Sequence, residues 1–223
     1  SQDIVLGLYY LTQKRLNVKG EGRKFSGPAE AIFAYDSEEV GLHGEVTVRL
    51  DGKLVQTTVG RLILKESVAP EIPFEQYNRV MDKKALSELL DSVYRAVGSK
   101  RTVLLADRLR SLGFQFATKA GISICMQDMK IPDKKKGLLD EAHTEVQEIQ
   151  NQYVEGLITD GERYNKVIDI WAQVTEQVAK EMMDALSVDM VKDRHGKEVA
   201  MPSLNPIYMM ADSGARGSAA QLK

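Results

Sequence analysis

The sequence predicts an α+β protein, mainly helical, in which a small antiparallel β-sheet precedes a set of helices and a protruding, coiled-coil-like helical hairpin. Three patterns carry this prediction. From Glu45 the apolar period is two: Val46, Val48 and Leu50 alternate with polar residues up to an Asp51-Gly52 turn signal. Leu86, Leu89, Leu90, Val93 and Val97 recur at helical spacing. Leu139, Ala142, Val146, Ile149 and Tyr153 then repeat at alternating threes and fours, and Tyr164, Val167, Trp171, Val174 and Val178 repeat the same pattern.

In chain order, Asp3 is placed to cap a short apolar helix over 4–12, and Lys19 to Lys24, with glycines at 20 and 22, reads as an exposed loop. Ser26-Gly27-Pro28 opens a second short helix that ends near Tyr35. Residues 42–65 form the sheet, with Thr57 to Leu64 as its returning strand. A helix over 83–97 stops at Gly98, and Thr102 is placed to cap the next, which ends at Ala120-Gly121. Ile122 to Met126 reads as extended and Cys125 as a buried small residue. The two repeating segments are joined by a short link, so they run antiparallel, and Thr159-Asp160-Gly161-Glu162 is a capping box for the second. At about 1.5 Å per residue the arms are roughly 30 and 40 Å long. Residues 187–203 read as a connector or loose strand pair, Pro206 to Met210 as extended. This divides the chain into 1–132, a hairpin over 133–187, and 188–223.

Composition narrows the function. The 223 residues carry a net charge of −2, so the chain lacks the basic excess of a main duplex-DNA clamp. No apolar run is long enough to span a membrane, no signal-peptide order is present, and the one cysteine excludes a disulfide framework. Soluble and cytoplasmic is the plain reading. Ser1-Gln2-Asp3 has no initiator Met, and Gly217 to Lys223 reads as a helix only begun, so both ends look like cuts in a longer chain.

No self-contained active site emerges. His43, His143 and His195 fall in separate elements; no P-loop, GxSxG, HExxH or paired CxxC occurs; Asp128 and Asp133 are loop carboxylates of the solvated kind. Trp171 falls on the hairpin seam, and Lys134-Lys135-Lys136 reads as a solvated run. The tail differs. Asp212-Ser213 followed by Gly214-Ala215-Arg216-Gly217 reads as a helix start of very small residues around one arginine, a place where backbone N–H groups and a guanidinium can meet phosphate. A tight helix–helix contact explains the small residues equally well.

Several long strings resemble the β′ subunits of bacterial RNA polymerase: Ser1-Gln2-Asp3 with Leu6 to Thr12, Gly113-Phe114, Ala120 to Ser123, Gly161 to Trp171, and Tyr208 to Ser218. The resemblance runs in order along essentially the whole chain and is weakest over 42–60 and 187–203. It implies a segment of a DNA-directed RNA polymerase, a nucleotidyltransferase, that lines the secondary channel and ends at the start of the bridge helix. The aspartate loop that holds the catalytic Mg²⁺ belongs upstream, so the segment itself supplies no metal ligand, cofactor or catalytic residue and is expected to be inactive alone. It implies that Gln2, Met210 and Arg216 lie beside the triphosphate of the incoming NTP, and that the hairpin, with Asp160 and Glu162 at its tip, docks Gre-type cleavage factors and DksA-like proteins. It implies alarmone (ppGpp) contact near Asp107, Asn165 and Lys166, although Ser111 stands where some relatives have an aromatic residue. The implied partners are the α, β, ω and σ subunits, the rest of β′, and DNA and RNA through the complex; the implied location is the nucleoid. A free-standing helical-hairpin interaction module is the alternative from another class.

Overall fold

The computed structural model describes residues 2–192 and 196–217. Ser1, His195 and the expected helical continuation over 218–223 lie outside the described residues. The chain divides into two compact units, one built from residues 2–124 with Asp189–Arg216, the other centred on Cys125–Val188.

The first unit is organised around α1 (Gln2–Leu11), in which Leu6, Gly7, Leu8, Tyr9 and Leu11 are all buried. A helix apolar on nearly every side belongs in the middle of a core. It already begins at Gln2, so Asp3 lies in its first turn and is not its cap. Next come β1 (Lys24–Phe25) and α2 (Pro28–Asp36), the latter opened by its proline. Strands β2 (Glu45–Leu50) and β3 (Lys53–Thr58) form the antiparallel hairpin, and β1 adds to β2 in parallel. Asp51 and Gly52 have φ of 46° and 81°, the left-handed pair that a two-residue turn requires.

The returning strand ends earlier than the pattern predicts. Thr58 caps a helix, α3 (Val59–Ser67), with its side chain accepting the Arg61 N–H. The β-branched run over 57–64 favours a strand locally, but packing decides: a Cβ on Gly60 would lie 1.9 Å from the Leu11 carbonyl oxygen, so α3 starts hard against the end of α1.

Helix α4 (Lys83–Val97) is capped by Asp82, which accepts the Ala85 N–H at 2.7 Å, and stops at Gly98 (φ 80°). Helix α5 (Ser99–Ala120) begins before Thr102, whose hydroxyl instead donates back to the Gly98 carbonyl, and it ends on left-handed Gly121. Leu105, Leu109 and Phe116 of α5 are buried. Where α5 crosses α1 the backbones touch: a Cβ on Gly7 would lie 1.9 Å from the Gly113 carbonyl oxygen, and one on Gly113 would lie 2.6 Å from that of Ile4.

In the second unit, α6 (Lys135–Val154) and α7 (Asp160–Ser187) form the expected hairpin. The capping box is present: Thr159 accepts the Glu162 N–H, and Glu162 accepts the Thr159 N–H at 2.8 Å. Of the expected seam, Ala142 and Val174 are buried, while Leu139, Val146, Ile149, Val167, Trp171 and Val178 are half-buried. Trp171 packs edge-on against His143, ring centroids 5.1 Å apart. Tyr164 is exposed; the inner face runs through Arg163 instead, whose guanidinium lies 5.1 Å from the Tyr153 ring centroid. Lys134 ties the arms together through Glu181 at 3.0 Å. Cys125 is exposed, not buried, because the segment after Gly121 forms no strand; Met126, Met129 and Ile131 stand exposed beside it.

The polar connector forms a two-stranded ribbon, β4 (Val188–Lys192) with β5 (Glu198–Pro202). Residues expected to be extended then fold as α8 (Pro206–Asp212): Asn205 accepts the Ile207 and Tyr208 N–H groups, with Pro206 at the first position.

Three stability predictions follow from this packing. Gly7→Ala is expected to destabilise by about 1–3 kcal/mol or more, because the new methyl collides with backbone. Gly137→Ala, at a helical glycine with nothing within 4 Å, is expected to stabilise by up to about 1 kcal/mol; urea unfolding of both variants checks the pair. Trp171→Ala, at a half-buried seam position, is expected to cost about 2 kcal/mol, below the range for a fully buried indole. Unchanged stability together with water-like indole emission would remove Trp171 from the seam.

Candidate functional site

The site at the end of the first unit is assembled by one face of α1. Gln2 and Tyr9 lie about two turns apart on that helix, with Leu6 between them. Leu6 and Tyr9 pack with Met209 and Ala215, with Val5, Val80, Ile122, Leu204 and Met210 around them. Two polar ties flank this apolar patch. Tyr9 donates its hydroxyl to Oδ2 of Asp212 at 2.6 Å, and Arg216 donates Nε–H to Oε1 of Gln2 at 2.9 Å.

Arg216 does not open a helix. Helix α8 ends at Asp212, and residues 213–217 form a turn in which Gly214 and Gly217 take φ of 67° and 81°. The expected helix start at Asp212-Ser213 is therefore replaced by a helix end, because Asn205 and Pro206 set the start seven residues earlier. The turn is tied down: the Arg216 N–H donates to the Met210 carbonyl at 3.1 Å, the Ala215 N–H to the Ser213 hydroxyl at 3.2 Å, and the Lys83 N–H to the Ser213 carbonyl at 2.9 Å. The Arg216 side chain is 61 % exposed, and its nearest carboxylate oxygen, on Asp3, is 4.0 Å away. Its short hydrogen bond is to a neutral amide, so most of its charge faces solvent. Asp212 is occupied by Tyr9, whose phenol burial and the Asp212 carboxylate push well above its ordinary range; it remains a donor throughout the neutral pH region.

Gln2 thus comes together with Met210 and Arg216, which lie some two hundred residues later in sequence. Tyr9 and Asp212 were missed by sequence reasoning. The available signal was a phenol in an otherwise apolar helix, since a buried hydroxyl needs a partner.

The remaining expected residues are placed elsewhere. Asp160 pairs with Arg163 at 2.6 Å, and Glu162 is engaged in the capping box, whose N–H and hydroxyl donors hold its carboxyl below the usual range. The hairpin tip also exposes Val154, Leu157 and Tyr164, which sequence reasoning did not single out. Asp107 is exposed on α5 and pairs with Arg110 at 3.1 Å, in a shallow groove with Ser67, Arg108 and Ser111. Asn165 and Lys166 are exposed on α7 in the second unit. Among the described residues no three or more His, Cys, Asp or Glu side chains gather as a metal site. The Asp128 carboxylate accepts the Cys125 N–H at 2.7 Å. No described helix is long and apolar enough to cross a membrane.

Residues 1–129 match the family described as RNA polymerase Rpb1, domain 3, and residues 158–223 match RNA polymerase Rpb1, domain 4. The chain is 48 % identical over 236 aligned positions to the DNA-directed RNA polymerase subunit beta′ of two Coxiella burnetii strains, Dugway 5J108-111 and RSA 331 / Henzerling II. The alignment covers all of this chain and 17 % of each of those subunits. The chain belongs to the RNA polymerase Rpb1/β′ family and corresponds to an internal segment of the bacterial β′ subunit.

Proposed function

We propose that this segment lines the channel through which nucleotides reach the active site of a DNA-directed RNA polymerase, and that Arg216 meets the triphosphate of the incoming nucleotide with Gln2 and Met210 beside it. The observation that carries the reading is the convergence of these three residues at one place, with a solvent-facing guanidinium whose closest carboxylate among the described residues, on Asp3, stands 4.0 Å away. Arginine remains charged at every physiological pH and grips phosphate oxygens in pairs. Catalysis belongs to the whole polymerase, with magnesium held by residues outside this segment and the α, β, ω and σ subunits, DNA and RNA as partners in the nucleoid. The net charge of −2 suits a wall of a nucleotide path better than a grip on duplex DNA.

The hairpin is the docking surface for channel-entering proteins of the Gre and DksA type. Its tip combines a charged pair, Asp160 with Arg163, with the exposed apolar side chains of Val154, Leu157 and Tyr164. Alarmone contact at Asp107, Asn165 and Lys166 is the least supported part of the reading, because Asp107 already pairs with Arg110 and Ser111 offers no ring to stack on. The alternative of a free-standing hairpin module has no particular observation in its favour, since the 48 % identity runs through both units.

In a polymerase assembled with this sequence in its β′ subunit, Arg216→Ala is expected to slow nucleotide addition by roughly tenfold to a hundredfold at subsaturating substrate, as expected for a charge-assisted hydrogen bond of about 1.5–3 kcal/mol. Arg216→Lys should recover only part of the loss. Reduced thermal stability with an unchanged nucleotide dependence would show that Arg216 serves only the Gln2 contact. For the hairpin, Asp160→Lys is expected to weaken factor binding about tenfold, or about 1.4 kcal/mol, with elongation near normal. Glu162→Gln, which keeps a capping side chain, separates charge from helix capping. Slower elongation with intact factor binding would reassign the hairpin to catalysis.

A further inference from the structure

The turn that carries Arg216 has little stiffness of its own. It contains two glycines at positive φ and follows a helix of only 7 residues, too short to be stable without tertiary support. Its position is set by what it is tied to. Asp212 is the last residue of α8, immediately before the turn, and its carboxylate receives the hydroxyl of Tyr9 from the last turn of α1. Tyr9 is only 2 % exposed, so the bond is fixed at its α1 end by the core, while its acceptor Asp212 stands exposed at the end of α8. Gln13, itself 2 % exposed, and Tyr208 also face this pair. On the far side of the apolar patch the Arg216 guanidinium returns to Gln2 of the same helix.

We propose that Tyr9 and Asp212 are a positioning pair for Arg216: the bond from the buried phenol to the Asp212 carboxylate clamps the end of α8 onto α1 and so fixes the turn from which the guanidinium reaches phosphate. Neither residue touches the nucleotide, and the inference rests on the Arg216 reading above. A clamp of this kind holds the guanidinium in place while its carboxylate neighbour, Asp3, stays at 4.0 Å. Orientation alone is worth a large factor in such a site, because a side chain displaced by about an ångström loses the paired phosphate contact.

The test is single-nucleotide addition by the assembled polymerase, measured against nucleotide concentration. Tyr9→Phe keeps the ring and removes the hydroxyl. It is expected to raise the half-saturating nucleotide concentration roughly threefold to tenfold while changing the maximal rate less than about twofold. In an Arg216→Ala background the same substitution is expected to add nothing, because the group it positions is gone. Asp212→Asn, which keeps an acceptor oxygen, is expected to raise the half-saturating concentration less than Asp212→Ala. This comparison decides the matter should Tyr9→Phe fail to assemble. If Tyr9→Phe leaves the half-saturating concentration unchanged while Arg216→Ala raises it, the pair is overturned and the Arg216 reading stands. Equal factors in both backgrounds, or equal effects of Asn and Ala at 212, also overturn it. If Arg216→Ala has no effect on the half-saturating concentration, the Arg216 reading fails and the positioning role fails with it.

Discussion

The contact between Gly7 and Gly113 is where two helices meet without side chains. Helix α1 lies at the centre of its unit, and its distance from α5 is set by the bare backbone at that crossing. Everything else α1 touches is placed by that distance. Gly60 allows α3 to begin against the Leu11 carbonyl; Thr12, just past the helix, accepts the Met81 N–H at 2.9 Å; Leu6 and Tyr9 receive α8. A single methyl at the crossing shifts a helix that four neighbours use as their reference. Interiors close-packed to crystal density transmit such a shift; they do not absorb it.

Around the end of α1 the interior is polar, and Arg61 is the hub of its hydrogen bonds. Arg61 donates Nε–H to the Thr12 carbonyl at 3.0 Å and a terminal N–H to the Asn78 carbonyl at 3.1 Å. Asn78 in turn receives the Thr57 hydroxyl at 2.8 Å and donates to the Gln56 carbonyl at 3.0 Å. This cation is held by carbonyls, and desolvation lowers its affinity for the proton without bringing it near neutrality at physiological pH. The network joins α1, the end of β3, the start of α3 and the segment before α4, which gives a small sheet a fixed attachment that two strands and a short third would not supply alone. The hairpin of the second unit relies on different physics: a narrow seam of half-buried side chains, a capping box and ion pairs in solvent, each worth little singly.

Much of the architecture was legible because strong local signals agreed with packing. Gly98 ends α4, the seam marks both arms of the hairpin, and Asp51-Gly52 marks the sheet. The failures fall where tertiary contact overrides local preference. Thr57 to Leu64 has the composition of a strand, yet Thr58 and Gly60 turn it into a capped helix against α1. Pro206 to Met210 is apolar enough to read as extended, and the capping by Asn205 was overlooked. The same limit applies to the site. Arg216 stood out as the one charge in a run of small residues, whereas the Tyr9–Asp212 bond joins residues 203 positions apart, a pairing no local pattern encodes.

That separation of 203 positions also sets an order of events during synthesis. At about 5–20 residues per second, roughly 10–40 s pass between the emergence of Tyr9 and that of its partner. Through that interval Val80 and Ile122 are the only early cover for the stripe of α1 that awaits α8 among the described residues of that patch. A nascent chain with such a stripe stays adhesive until α8 is made.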